Sequence, residues 1–160
     1  MFTLQKCRQL LGMTVLSLCC GLATAQQASY GAPVNLETAK KIAVGAAAEA
    51  KRLNLSVAIS IVDTHGFPVY FELLDDTQSG SGQLALLKSR TAAMYRRPTK
   101  AFEDAVAGGR NALLSIPDAL LLEGGLPIIV NGKVIGGVGA SGGTSAQDAH
   151  IARAGLDALK

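Results

Sequence analysis

The sequence predicts an α+β domain: a mainly antiparallel sheet of about five strands with helices packed on it. Two observations carry this reading. β-rich runs occur in adjacent pairs, 56–63 with 68–74 and 126–130 with 133–140, joined by short turn sequences that make hairpins and so demand antiparallel pairing. Helix-patterned stretches stand before, between and after these pairs instead of alternating with single strands, which is the arrangement of an α+β domain.

Residues 1–25 are read apart from the fold. Lys6 and Arg8 precede a mostly apolar run, Leu10 to Leu22, and Ala23-Thr24-Ala25 has the small-x-small form. This three-part layout predicts a secretory signal peptide cleaved after Ala25, and hence a periplasmic or secreted protein. The apolar run is shorter than the ~20 residues of a spanning helix. Cys19 follows Leu18, so the small residue that a lipoprotein signal needs before its cysteine is missing. All three cysteines (Cys7, Cys19, Cys20) lie in this segment, so the mature chain is expected to hold no disulfide and no thiolate metal site. Removing Lys6 and Arg8 leaves 13 basic against 12 acidic residues, a net charge of about +1. That balance gives no clustered basic surface for nucleic acid, and no second apolar run approaches membrane-spanning length.

Residues 26–34 are polar and turn-prone and are expected to form a flexible leader, with the domain proper spanning 35–160. Asn35 is placed to cap a helix whose apolar stripe is Leu36, Ala39, Ala43, Ala46, Ala50 and Leu53. The first hairpin turns through Thr64-His65-Gly66-Phe67. A helix follows over 83–97, stopped by Pro98, which disfavours helical geometry in the residue before it. A shorter helix, 100–107, ends at Gly108-Gly109, and a short fifth strand is placed before Gly124-Gly125. Asn131-Gly132 supplies the positive φ angles of a two-residue type I′ turn in the second hairpin. Thr144 starts the last helix, with Gln147 in capping-box position. Its apolar stripe is Ala149, Ala152, Leu156 and Leu159, and His150 falls on the polar side.

Gly137, Gly139 and Gly142 spell G-x-G-x-x-G, the pattern of a dinucleotide-binding turn. That fold needs a parallel strand–helix–strand unit with an acidic residue about 20 positions on. After Gly142 only one helix is read, and the strand before the glycines already belongs to a hairpin, so NAD is excluded. Two readings of the glycines stay open together. They let a helix or neighbouring chain approach the sheet closely, or residues Ser141 to Thr144 present bare backbone N–H groups to a carboxylate at a helix amino end.

Asp63-x-x-Gly66, Lys88-Ser-Arg-Thr91-Ala92, Arg97-Pro98-Thr99, Gly124-Gly125-x-Pro127, and Ile135-Gly-x-Val-Gly-x-Ser141-Gly with Gln147-Asp148 resemble, in order and spacing, the GlcG/HbpS family. This family is often labelled haem-degrading domain, and it includes the carboxyl-terminal domain of PduO. The resemblance runs from about residue 35 to the end. It implies a profilin-like or PAS-like fold, a compact homo-oligomer and, in some members, haem or corrinoid binding. One departure stands out: Glu72-Leu73-Leu74-Asp75 carries no basic residue before the aspartate, where the family usually has one after the phenylalanine.

Haem is therefore the candidate ligand, and His65 the candidate for its iron, since histidine is a common axial ligand. A plain exposed turn residue is the alternative for His65. Tyr95 could ligate or stack on a porphyrin, or pack in the core or an interface, and Arg97 could hold a propionate through a bidentate contact. Ser141, Gly142 and Thr144 are the candidates for binding acid groups. Two histidines so far apart, with no cysteine, give no zinc pattern. Lys88 shares a helix face with Ala85 and Ala92, and there it could bind a ligand or pair with a carboxylate such as Asp63 or Asp148. Three functions remain: an exported small-ligand binder, an enzyme on a small organic acid using Lys88 and Asp148 between subunits, or an oligomer without ligand.

Overall fold

A computed structural model describes residues 27–160; the expected signal peptide, 1–25, lies outside the described residues. The chain runs α1 (Leu36–Arg52), β1 (Ala58–Val62), β2 (Pro68–Leu73), α2 (Ser81–Tyr95), α3 (Lys100–Ala107), a short 3-10 helix (Asn111–Ser115), β3 (Gly125–Val130), β4 (Lys133–Ser141) and α4 (Ser145–Asp157). The strands form one sheet in the order β2-β1-β4-β3, antiparallel at every pairing. The fold is α+β.

Local signals set the element ends. The Asn35 side chain accepts from the Thr38 N–H at 2.8 Å and caps α1. Asn131 and Gly132 hold φ of 50° and 73°, the mirror-image turn that matches strand twist. Thr144 and Gln147 cap each other reciprocally at the start of α4. Arg96 closes α2 in the left-handed region just before the Arg97-Pro98 pair.

The two faces of the sheet are built differently. On one face Val57, Ile59, Ile61, Leu126, Ile128, Val138 and Ala140 pack with Ile42, Ala43 and Ala46 of α1 and Ile151 and Ala152 of α4. This is the hydrophobic core. On the other face, the register brings Gly125, Gly139 and Ser60 side by side, with Gly137 beside Val62. Here α2 lies almost directly on the strand backbones. A Cβ added to Gly139 would stand 2.3 Å from the Ala85 carbonyl oxygen, and one on Gly137 2.3 Å from that of Ser89. Ser60 Oγ and Ser89 Oγ meet across this contact at 3.0 Å.

Three expectations are corrected. No fifth strand forms before Gly124: Pro117 has no N–H, and the Leu120 N–H is taken by Thr91 Oγ1 at 2.9 Å, so that stretch makes a 3-10 helix and irregular chain instead. Residues 29–34 are bound along β4, in place of the free leader expected there: Gly31 N–H donates to the Val134 carbonyl and Val34 N–H to that of Ile135, while Tyr30 Oη donates to the Met94 carbonyl of α2. Leu36 is half exposed, and Ile42, outside the expected stripe, is fully buried in its place. The α1 axis is rotated so that its alanine row and Ile42 meet α4 and the sheet.

The bare α2-facing surface predicts an asymmetric glycine response. Gly139→Ala is expected to lower stability by about 1–3 kcal/mol, because a methyl there meets backbone that cannot yield. Gly80→Ala, with nothing within 4 Å of the added carbon, is expected to stay within about 0.5 kcal/mol. Urea denaturation of both variants checks this, and equal losses would refute it.

Candidate functional site

The close approach of α2 to the sheet brings Lys88 to the end of β4 nearest α4. Its Nζ donates to Asp148 Oδ2 at 2.6 Å and to the Ala140 carbonyl at 3.2 Å. Both side chains are 3% exposed. Asp148 sits in the first turn of α4, where a carboxylate is favoured by the helix amino end, and its Oδ1 accepts the Gly143 N–H at 2.9 Å. Gly124 covers the ammonium: a Cβ there would lie 2.7 Å from Nζ. Of the two partners weighed for Lys88, Asp148 is the one it meets. The pair is closed from solvent and joins α2, β4 and α4.

The turn at residues 141–144 is already satisfied from within. Gly143 N–H is held by Asp148, Thr144 N–H by Gln147 Oε1 at 2.9 Å, and Gln147 N–H by Thr144 Oγ1 at 3.3 Å. Ser141 is buried and paired with Ala58, and Gly142 has φ of 155° against the Ser56 carbonyl. Two of the N–H groups expected to meet an acid ligand, those of Gly143 and Thr144, are thus bonded to side chains of α4.

His65 stands elsewhere, at the tip of the β1–β2 hairpin. Asp63 organises that tip: its Oδ1 accepts the N–H of His65 at 2.8 Å and of Phe67 at 2.9 Å. Gly66 takes φ of 84°, a value that glycine adopts without penalty. The His65 side chain is 73% exposed. Beside it, a Cβ on Gly66 would lie 3.2 Å from Met94 Sδ and 3.3 Å from Arg90 Nε, both on α2. Phe67 and Met94 are exposed, as is Tyr30, whose ring lies under the Arg96 guanidinium at 5.1 Å. The tip therefore presents the His65 imidazole and Phe67 beside the Met94 thioether and Arg90, with Tyr30 and Arg96 further along, at the end of α2. Arg90 and Met94 were not legible as neighbours of His65, because only the tertiary docking of α2 brings them there.

Tyr95 and Arg97 converge on a third place. The Tyr95 ring meets that of Phe102 edge-on at 5.5 Å, and the Arg97 guanidinium lies over Phe102 at 5.2 Å. This cluster joins the end of α2 to α3. A cleft of about 580 Å³ opens between α3, the start of β3 and α4, with Lys100, Glu123, Gly124, Ala146, His150 and Arg153 in its walls. No sequence pattern had marked it. His150 bonds Glu49 of α1 at 2.6 Å; the Arg52 guanidinium, with His150 adding to it, holds the Glu49 carboxyl down to about 2. Among the described residues no group of three or more His, Cys, Asp or Glu side chains could hold a metal ion. None of the described helices is long and apolar enough to cross a membrane.

Residues 34–157 match the family described as "Haem degrading protein HbpS-like". The chain belongs to that family. Protein GlcG of Escherichia coli K12 is 40% identical over 93 residues, 58% of this chain and 69% of GlcG. A crystal structure of a double mutant of HbpS from Streptomyces reticuli superposes with a TM-score of 0.76 at 28% identity, over 82% of this chain and 90% of that one. The crystal structure of a PduOC–haem complex superposes with a TM-score of 0.72 at 28% identity, over 79% of this chain and 94% of that one. The shared fold agrees with the antiparallel sheet and helices described above.

The buried pair predicts a strong, non-additive stability effect. Lys88→Met leaves Asp148 buried without its cation and is expected to cost about 3–5 kcal/mol. Adding Asp148→Asn removes the stranded charge and is expected to recover part of that loss. Chemical denaturation of the two singles and the double variant measures the coupling, and strictly additive losses would contradict it.

Proposed function

We propose that this HbpS-like protein is an exported, oligomeric binder of haem or a closely related tetrapyrrole, with His65 as its iron ligand. One observation carries the proposal: a relative of the same fold and family, 28% identical, has been solved as a haem complex. Features of this chain suit such a ligand. The His65 imidazole is exposed, and Phe67 in the same turn and Met94 against Gly66 offer apolar surface on which a porphyrin can lie. Arg90, beside Gly66, is placed to meet a propionate. Haem held there would supply a redox-active iron, and the chain would supply one axial ligand and a cationic, apolar seat.

A turn of chain covers only one side of a flat ligand, which favours an assembly in which a second subunit covers the other. The edge strand β2 supports such an assembly, since Phe71 and Leu73 are exposed along it. Export rests on the pattern of residues 1–25. Neither the enzyme reading nor the ligand-free oligomer gains a specific observation. Lys88 and Asp148 neutralise each other in a sealed site, and a substrate would have to open it.

Haemin titration followed at the Soret band tests the ligand. A saturable shift is expected for the wild-type protein, weakened at least tenfold in His65→Ala; no saturable shift, or one indifferent to that substitution, would overturn the assignment. Intact mass of the protein recovered from the cell envelope and medium tests export, with loss of the first 25 residues expected and an uncleaved chain confined to the cytoplasm counting against it.

A further inference from the structure

The two ring nitrogens of His65 have different surroundings. Nδ1 lies 3.3 Å from Thr64 Oγ1 and 4.0 Å from Asp63 Oδ2, and Nε2 has no hydrogen-bond partner among the described residues. By these distances Nδ1 faces the turn, on an imidazole that is 73% exposed as a whole. Asp63 is itself fixed, because its Oδ1 receives the two backbone N–H bonds of the hairpin tip. Its second oxygen is thereby left for the ring. At 4.0 Å Asp63 Oδ2 acts on the ring by charge and not through a hydrogen bond, whereas the Thr64 hydroxyl at 3.3 Å can donate or accept; the negative charge is what favours hydrogen on Nδ1, with the hydroxyl then accepting. The lone pair then resides on Nε2, on the outward side. A metal-binding histidine oriented by a carboxylate on its other nitrogen has this arrangement.

We propose that Asp63 is a positioning residue for iron binding, selecting the Nδ1–H tautomer of His65 and thereby presenting the Nε2 lone pair to the metal. This rests on the reading of His65 as the iron ligand. It gives the Asp63-x-x-Gly66 turn a second task besides closing the hairpin. The carboxylate's two oxygens divide the work: Oδ1 holds the backbone, and Oδ2 biases the ring.

Asp63→Asn separates these tasks, since an amide oxygen can still accept both backbone N–H bonds while the negative charge is lost. The apo protein is examined first, by long-range ¹H–¹⁵N correlation of the His65 ring in its neutral form. The wild type is expected to show mainly the Nδ1–H tautomer, and Asp63→Asn to shift toward Nε2–H with its thermal midpoint unchanged. Haemin affinity is expected to fall about tenfold in Asp63→Asn, against near-complete loss of the His65-dependent spectrum in His65→Ala. A wild-type ring mainly in the Nε2–H form, or a tautomer ratio unmoved by Asp63→Asn, overturns the proposal. Haemin binding that depends on His65 but is unchanged in Asp63→Asn also overturns it and leaves the haem reading standing. A protein that binds no haemin overturns both, whatever its tautomer.

Discussion

The contact on which the rest of this structure depends is the one between α2 and the glycine-bearing face of β3 and β4. An ordinary helix rests on a sheet through interlocking side chains. Here Gly125, Gly137 and Gly139 leave no side chains to interlock, and the carbonyls of Lys88, Ser89 and Ala85 come down onto the strand backbone. Little apolar area is buried on that face. It is the opposite face, where isoleucines and valines meet α1 and α4, that supplies most of the hydrophobic stabilisation. The glycine face contributes geometry, because backbone packed directly on backbone leaves α2 little room to shift.

That geometry explains the buried ion pair. A lysine facing the sheet from a helix at normal height would end among strand side chains. From α2's low position, Lys88 Nζ reaches the Ala140 carbonyl and meets Asp148 in the first turn of α4. Burying the charges is costly in itself, and the mutual attraction offsets that cost only when the geometry and remaining hydrogen bonds are good. Both conditions hold: Ala140 takes a second ammonium N–H, and Gly143 donates to the free carboxylate oxygen. The pair therefore acts as a register pin, since sliding α2 by one turn would strand two charges. The G-x-G-x-x-G run thus belongs to packing, and its resemblance to a nucleotide turn ends with the glycines.

The elements were legible in the sequence where a local rule decides them. Asn35, Asn131-Gly132, Pro98 and the Thr144–Gln147 box each act over a few residues, and each marks an element end that the fold uses. What was illegible depends on contacts distant in sequence. The side chain of Thr91 claims the Leu120 N–H from 29 positions away, and this prevents the strand expected there. Residues 29–34 carry no apolar pattern, yet they are ordered through backbone bonds to β4, which composition does not encode. Leu36 lost its place to Ile42 because the alanine row sets how near α4 can come, so the buried arc is wider and rotated from the one periodicity suggests.

The candidate site shows the same division at finer scale. Asp63 and Gly66 could be read as a turn, and His65 as an available imidazole. Which ring nitrogen faces outward follows only from the turn's internal bonds, and which residues surround it follows from where α2 docks. Since the glycine contact fixes α2, it also fixes Arg90 and Met94 beside the hairpin tip. The sheet face that buries least apolar area thereby determines the composition of the exposed surface most suited to a ligand. A rigid support of this kind costs the site nothing in reorganisation, whereas side chains on a free loop would have to be ordered on binding. Lys88 and Asp148, by joining α2 to α4, then help to hold α2 where Arg90 and Met94 meet the His65 turn.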